Sequence, residues 1–245
     1  MARSPGQLPL GIRLPDSSVF ESYFAGRNQP VVDALLSLQA TEMPAPAATR
    51  APTCIWIHGA HGTGKTHLLQ AVCTRASREG RSAAYLPLPE VISLGEEVLA
   101  GFGELAVVCL DDVQVLAGRE SWERALFRLH QELQERDGRL LVSGATPPAA
   151  LPFKLRDLGS RLNGGLVLTL HPLDEPEQIA ALQLRAQLRG LELPDETAQF
   201  MLRRLPRDMT HLYAVLDELD AASLVAQRRL TVPFVKEVLE QRLAP

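Results

Sequence analysis

Gly59-Ala60-His61-Gly62-Thr63-Gly64-Lys65-Thr66 is the stretch that decides the fold. It reads G-x-x-x-x-G-K-[ST], a loop built to cradle phosphate groups. Its glycines let the backbone curl, so that several N–H groups converge on phosphate oxygens. Lys65 can bring a point charge to the β- and γ-phosphates, and Thr66 can offer its hydroxyl to Mg²⁺. A helix that starts here aims its positive end at the same anion.

The flanks supply the context that such a loop requires. Thr53-Cys54-Ile55-Trp56-Ile57-His58 is a short apolar run and reads as a buried strand. Thr66-His67-Leu68-Leu69-Gln70-Ala71-Val72-Cys73 has apolar residues at helical spacing and continues to a stop at Gly80. Strand, glycine loop and helix therefore follow in order. The alternative, a Gly-rich turn with no ligand, does not account for that order.

Downstream the alternation repeats. Residues 82–86, 105–110, 139–143 and 166–170 read as strands. Residues 89–99 and 121–136 read as helices, and 153–161 as a short helical stretch. The 105–110 run is almost continuously apolar, as parallel strands buried on both faces are. Repeated β-then-α order predicts a five-stranded parallel sheet flanked by helices. After Pro172 the strand signals stop. Asp174 with Glu177 forms a capping box for a helix to about Leu188. Asp195 reads as the cap of a second helix ending near Arg204. A third runs from Arg207 or Asp208 to Ala226, and a fourth follows Thr231. The expected organisation is α/β: an N-terminal tail over 1–15, a nucleotide-binding body over 16–172, and a small helical lid over 173–245.

Upstream, residues 1–15 hold Pro5, Gly6, Pro9, Gly11 and Pro15 and do not read as a helix. The apolar peptide from Gln7 to Ile12 is either a plain tail or a short motif that docks in a partner's groove. Ser17 and Ser18 read as caps of a short turn carrying Val19, Phe20, Tyr23 and Phe24. Gln29–Leu38 reads as a helix with Pro30 in its first turn. Residues 44–52 are a Pro- and Ala-rich linker.

Composition narrows the function. A chain of 245 residues with 46% hydrophobic residues has material for a real core. Its formal net charge of −4 argues against a protein whose main business is gripping duplex DNA by its phosphates. The 3 cysteines, Cys54, Cys73 and Cys109, lie in core-like positions without metal-ligand spacing, which suggests reduced thiols. No long apolar run and no signal-peptide pattern is present, so a soluble, cytoplasmic protein with no membrane partner is expected.

Around the loop, further candidates gather. The apolar strand that ends in Asp111-Asp112, about 45 residues beyond the loop, matches the acidic half of a nucleotide triphosphatase site. Asp111 would serve Mg²⁺, directly or through water, and Asp112 would orient or deprotonate a water. The alternative is a cap pair opening the next loop. Ser143 closes the fourth strand at the edge where a parallel sheet presents ligands; it reads as a phosphate or water contact, or as the start of the Pro147-Pro148 turn. Arg161, just before the fifth strand, is either a solvated surface charge or a stabiliser of nucleotide charge, including charge on a neighbouring subunit.

With these residues in view, the chain resembles the AAA+ ATPases, and among them the bacterial replication initiator DnaA. The resemblance rests on Lys65-Thr66-His67-Leu68-Leu69, on Leu110-Asp111-Asp112-Val113-Gln114, on Leu155 with Gly159-Ser160-Arg161-Leu162, and on the helical lid. It is closer still to the DnaA-homologous inactivators, the Hda family. The chain ends after the lid, without the length for an initiator's DNA-binding helix-turn-helix domain. Gln7-Leu8-Pro9-Leu10 is similar to that family's clamp-binding peptide, and the segment from Ala226 to Lys236 is similar to its C-terminus.

The resemblance implies an ADP- or ATP-bound regulator that works with the DNA-loaded sliding clamp to stimulate ATP hydrolysis on DnaA. It implies no sequence-specific DNA contact and leaves self-association possible. Arg161 matches the arginine finger, offered in trans. Gln7, Leu8 and Leu10 would hold the clamp. Nucleotide contacts would come from Arg27 or its neighbours near the adenine, from Gly59 through His67, and from the lid around Asp208. Mg²⁺ would sit on Thr66 and Asp111. Three positions depart from the family pattern: Gly11 replaces a proline in the clamp peptide, Thr210 stands where a sensing arginine is frequent, and Ser143-Gly144-Ala145 lacks an acid found in many initiators. A lid without that arginine, unless Arg207 replaces it, fits ADP holding better than turnover. The competing reading is an autonomous AAA+ ATPase of the helicase-loader or motor type, kept open by the intact Asp111-Asp112 pair.

Overall fold

Apolar residues alternate between two sides along each central strand, and this explains the unbroken apolar runs. In the computed structural model, which describes residues 18–39 and 52–243, Trp56, Val108, Leu110, Leu140 and Val142 point to one face of the sheet. Ile55, Ile57, Val107, Cys109 and Leu141 point to the other. A strand with a helix layer on each side has no solvent face, so both sets must be apolar.

The body contains α1 (Gln29–Gln39), β1 (Cys54–Gly59), α2 (Lys65–Arg78), β2 (Ala83–Pro87), α3 (Leu88–Val91), β3 (Val107–Asp111), α4 (Glu120–Glu135), β4 (Arg139–Gly144), α5 (Arg156–Asn163) and β5 (Leu166–Leu170). The strands form one parallel sheet in the order β2-β3-β4-β1-β5. Helices α1 and α2 cover one face, and α4 and α5 the other. The lid is α6 (Glu175–Leu188), α7 (Asp195–Arg204), α8 (Met209–Ala226) and α9 (Val232–Leu243). It has its own core, centred on Leu182, Met201, Leu212, Leu216, Leu219 and Val235.

Most of the expected elements are present, with local differences. The helix anticipated over residues 89–99 is only the single turn α3, followed by 3-10 turns at Ile92–Leu94 and Glu96–Leu99. Gly95 at φ +89° stands between those turns in a conformation no helix can propagate through. Asp174 caps α6, and its carboxylate accepts from the Glu177 N–H at 3.1 Å, as the capping box requires. Asp195 is not a cap. Pro194 holds that position, and the Asp195 carboxylate accepts instead from the Gln183 amide at 2.6 Å. The turn at Phe20–Ser22 is held by the Ser22 hydroxyl, which donates to the Val19 carbonyl at 2.9 Å; Ser18 makes no cap there. Ser17, residues 44–51 of the Pro-rich linker, and Gln7, Leu8, Leu10 and Gly11 lie outside the described residues.

A short segment straps the lid to the body. Arg27 pairs with Asp174 and, through Nε at 2.7 Å, with Glu177; its backbone N–H also donates to Glu177 at 2.9 Å. The Asn28 side chain closes a two-way bond with His171, donating to the carbonyl at 2.9 Å and accepting from the N–H at 2.8 Å. Phe24 packs onto the lid core.

A second tie holds the segment that leads into α5. Glu123 of α4 is completely buried, and its carboxylate accepts from the N–H groups of Gly118 (2.7 Å), Lys154 (3.2 Å) and Leu155 (2.8 Å). Removing a buried acceptor strands the donors that it served. Glu123→Ala should therefore lower stability by about 2–4 kcal/mol, measured by urea unfolding.

Candidate functional site

The phosphate loop leaves β1 at Gly59 and enters α2 at Lys65. Gly62 and Gly64 adopt φ +76° and +90°, so the loop curls through left-handed conformations that side-chain-bearing residues avoid. Neighbours also close on the glycines. A Cβ at Gly64 would lie 2.5 Å from the Tyr23 ring, and one at Gly62 would overlap the Asp208 carboxylate. The Lys65 ammonium donates to the carbonyls of Gly59 and Ala60 at 2.9 Å each. Partial burial lowers its pKa, while Asp112 and Asp111 act in the opposite direction.

Strand register brings the acids and hydroxyls together. Leu110 pairs with Val142 and Ile57 with Ser143, so the C-terminal ends of β3, β4 and β1 lie side by side. Buried Asp111 then accepts from the Thr66 hydroxyl at 2.6 Å, from the Tyr85 hydroxyl at 2.8 Å, and from the Ser143 hydroxyl. The fully buried Ser143 hydroxyl also accepts from the Asp112 N–H at 2.9 Å. Asp112 turns out of the strand at φ 58°, and its carboxylate accepts from the Gln114 amide at 2.8 Å. Thr66 and Asp111 are thus adjacent hard oxygen donors, the type that Mg²⁺ takes. Together with the glycine cradle, this donor set fits a magnesium-bound nucleotide phosphate chain.

Beside the loop lies a cleft of about 430 Å³ between body and lid. From the loop, His61, Gly62, Thr63, Gly64, Lys65, Thr66 and His67 line it; Ser18, Ser22, Tyr23 and Phe24 come from the N-terminal segment, and Arg185, Met209, Thr210 and Tyr213 from the lid. Asp112 reaches it, whereas Gly59 and Ala60 contribute through the Lys65 contacts. Tyr23 donates to the Thr63 carbonyl at 3.1 Å, and its pKa is raised by burial.

Arg27, Arg207, Asp208 and Arg161, also singled out in the sequence, are not among the residues that line the cleft. Arg27 is held in the strap to Asp174 and Glu177. Arg207 pairs with Glu175 at 3.1 Å and is not among the residues that line the cleft, whereas Thr210 is. Asp208 caps α8 and touches the loop at Gly62. Arg161 lies in the last turn of α5, with its guanidinium 4.7 Å from the Phe127 ring centroid and 3.2 Å from the Gln134 side-chain oxygen.

Several participants were not anticipated. Tyr85 reaches Asp111 from the neighbouring strand. Arg185 enters the cleft over the Tyr213 ring at 4.6 Å and is engaged by Asp217. These contacts join residues from different elements, and neither the period of a strand nor that of a helix encodes them.

His67 anchors the N-terminal segment to α2. Its Nε2–H donates to the Val19 carbonyl at 2.9 Å, and the Ser22 hydroxyl is 3.3 Å away. Burial lowers its pKa from 6.5 against the opposing bond to the Val19 carbonyl, and the Arg185 charge adds to the lowering. A histidine held neutral in the fold contributes its full stability above the unfolded-state pKa and loses it as pH falls below that value. The urea midpoint should therefore decline as pH drops from 7 through 6.5 toward 5, and part of the decline should vanish in His67→Gln.

Residues 174–239 match the family model of the Hda lid domain, and residues 96–169 match that of the bacterial DnaA ATPase domain. Among solved structures, domain III of the Thermotoga maritima replication initiation protein DnaA aligns at TM-score 0.76 and 21% identity, over 95% of this chain and 100% of that one. AMPPCP-bound DnaA from Aquifex aeolicus aligns at TM-score 0.67 and 22% identity, covering 84% of this chain and 66% of that one. The Thermotoga maritima RuvB Holliday junction branch migration motor aligns at 0.60 and 19%, covering 87% and 68%. At these identities the structural likeness is one of fold: a parallel sheet between helices with a C-terminal helical lid.

Proposed function

Because the chain belongs to the Hda family of DnaA-like AAA+ proteins, to which its lid and ATPase-domain matches assign it, we propose that it is a nucleotide-bound regulator of the replication initiator. It holds ADP and Mg²⁺ between loop and lid. With the DNA-loaded sliding clamp, it stimulates hydrolysis of the ATP on DnaA and so prevents a second initiation. The AAA+ body is a nucleotide-binding body; the identity of the nucleotide, the clamp dependence and the target are our reading.

One observation carries it. Arg161 is not among the residues lining the chain's own nucleotide cleft. It is supported on α4 by the Phe127 ring and the Gln134 side chain, and it is half-buried at the end of α5. A guanidinium braced away from its own cleft is suited to a nucleotide held by another molecule, where an arginine supplied in trans stabilises transition-state charge. Gln7, Leu8 and Leu10 would tether the regulator to the clamp.

Within the chain's own site, bound Mg²⁺ would neutralise phosphate charge. Thr66 and Asp111 would hold it. Lys65 would turn from the loop carbonyls to the phosphates, and the Ser143 hydroxyl would keep Asp111 oriented. The Thr210 position gives the lid no cation there, which favours retention of nucleotide over turnover.

A second reading is supported by the intact Lys65, Asp111, Asp112 and Ser143 set: an autonomous ATPase of the helicase-loader or motor type. One experiment separates the two. ATP preloaded on the cognate initiator is followed in the presence of DNA-loaded clamp, with this protein or its Arg161→Ala form. The regulator reading expects fast decay with the natural protein, a loss on the order of 10³-fold with Arg161→Ala, and unchanged nucleotide binding by the variant. Equal decay with both proteins would reject it. Vigorous hydrolysis by the chain alone, lost in Lys65→Ala, would favour the ATPase.

A further inference from the structure

We infer that His130 is a positioning residue for Arg161: its buried imidazole has to stay uncharged for the guanidinium to rest on α4, and the arginine loses that seat when the ring gains a proton. The consequence for hydrolysis on the initiator rests on the regulator reading; the seat of the guanidinium does not.

Arg161 reaches α4 at two places. Its guanidinium lies 4.7 Å from the Phe127 ring centroid, and its Nη1 donates to the Gln134 side-chain oxygen at 3.2 Å. Those residues are about two turns apart on one helix face, so the guanidinium spans the turn between them. His130 stands in that turn, three residues after Phe127 and four before Gln134. It is buried, and among the described residues its Nδ1 has no hydrogen-bond partner. A charged imidazole donates from both nitrogens. The proton on Nδ1 would then be buried without an acceptor, and a positive ring would lie under a guanidinium on the same helix face.

Other charged groups surround α4. On the helix itself are Arg128, Glu132 and Arg136, and Glu123, whose carboxylate is taken up by backbone N–H groups. The elements packed against it add Glu96, Glu97 and Glu104 on 3-10 turns, Arg139 on β4, and Arg156 and Asp157 on α5, with Lys154 leading into that helix. Of all these neighbours it is Arg161, second only to burial, that lowers the His130 pKa from 6.5. The ring is therefore neutral above that value and charges only below it. By linkage, an Arg161 that makes protonation of the ring harder must itself be displaced when the ring is protonated.

The test uses the full chain. NMR follows the imidazole signals between about pH 8 and pH 5, and the signal missing in His130→Phe is the ring in question. It should titrate below 6.5 in the natural protein and move up toward 6.5 in Arg161→Gln. Decay of ATP on the cognate initiator is then measured with DNA-loaded clamp, each protein being compared with its own rate at about pH 7.5. One pH unit below the ring's measured pKa, about ten rings in eleven are charged, so the natural protein should stimulate roughly tenfold less. His130→Phe should lack that loss, whatever fall the initiator and clamp impose on both; His130→Gln, neutral and polar, repeats the comparison if the Phe variant does not fold. A His130 titration that ignores Arg161→Gln would overturn the inference. So would an equal fall with pH in the natural protein and the neutral variants. Absence of stimulation at every pH would reject the regulator reading instead, and the NMR titration alone would then decide whether the charge of His130 governs the seat of Arg161.

Discussion

The Asp111 carboxylate is the point on which the site depends. It receives hydroxyls from Thr66 on α2, Tyr85 on β2 and Ser143 on β4, and it stands at the end of β3. Four elements thus converge on two oxygen atoms. A buried carboxylate is tolerable only when its lone pairs are satisfied, and three hydroxyls satisfy them. The same arrangement fixes the relation between the phosphate loop and the edge of the sheet. Burial and that neighbouring carboxylate also push the Tyr85 phenol well above its usual range, so it remains a hydrogen-bond donor.

A second constraint operates between body and lid. The 24–28 segment is short, yet it reaches three places: the lid core through Phe24, the end of β5 through Asn28, and the start of α6 through Arg27. Exposed ion pairs contribute little by themselves. Here the Arg27 fork acts together with a two-way amide bond and an apolar anchor, and the set ties the start of α6 and the residue after β5 to one short segment. Phe24 of this segment also lines the cleft beside the phosphate loop, whereas Arg27 is not among its lining residues.

The sequence made most of the framework legible because its physics is local. Alternation of apolar runs with helical spacing gave the β/α order, and the Asp174–Glu177 box marked the start of the lid helix to the residue. Where a single residue could serve two roles, local reasoning failed. Asp195 looked like a cap, but Pro194 took that position and the carboxylate turned to Gln183. Residues 89–99 looked helical, but Gly95 adopted a backbone conformation that breaks the run. The ion pairs of Arg27, with acids about 150 positions away in the chain, carry no local signal at all.

By itself the sequence determined the phosphate loop, the order of strands and helices, the acidic end of β3 and the lid. Each of these rests on periodicity, on backbone demands at glycine, or on capping within a few residues. Tertiary structure alone decided which hydroxyls meet Asp111, because strand order places β4 between β3 and β1 although β4 follows both in the chain. It alone decided that Arg185 enters the cleft while Arg207 turns to Glu175, because both orientations depend on how separate lid helices pack. It also decided that Arg161 rests on α4 rather than in the cleft. Sequence carries the propensities along a chain; the contacts that aim a side chain come from elements brought together only when their apolar faces are buried.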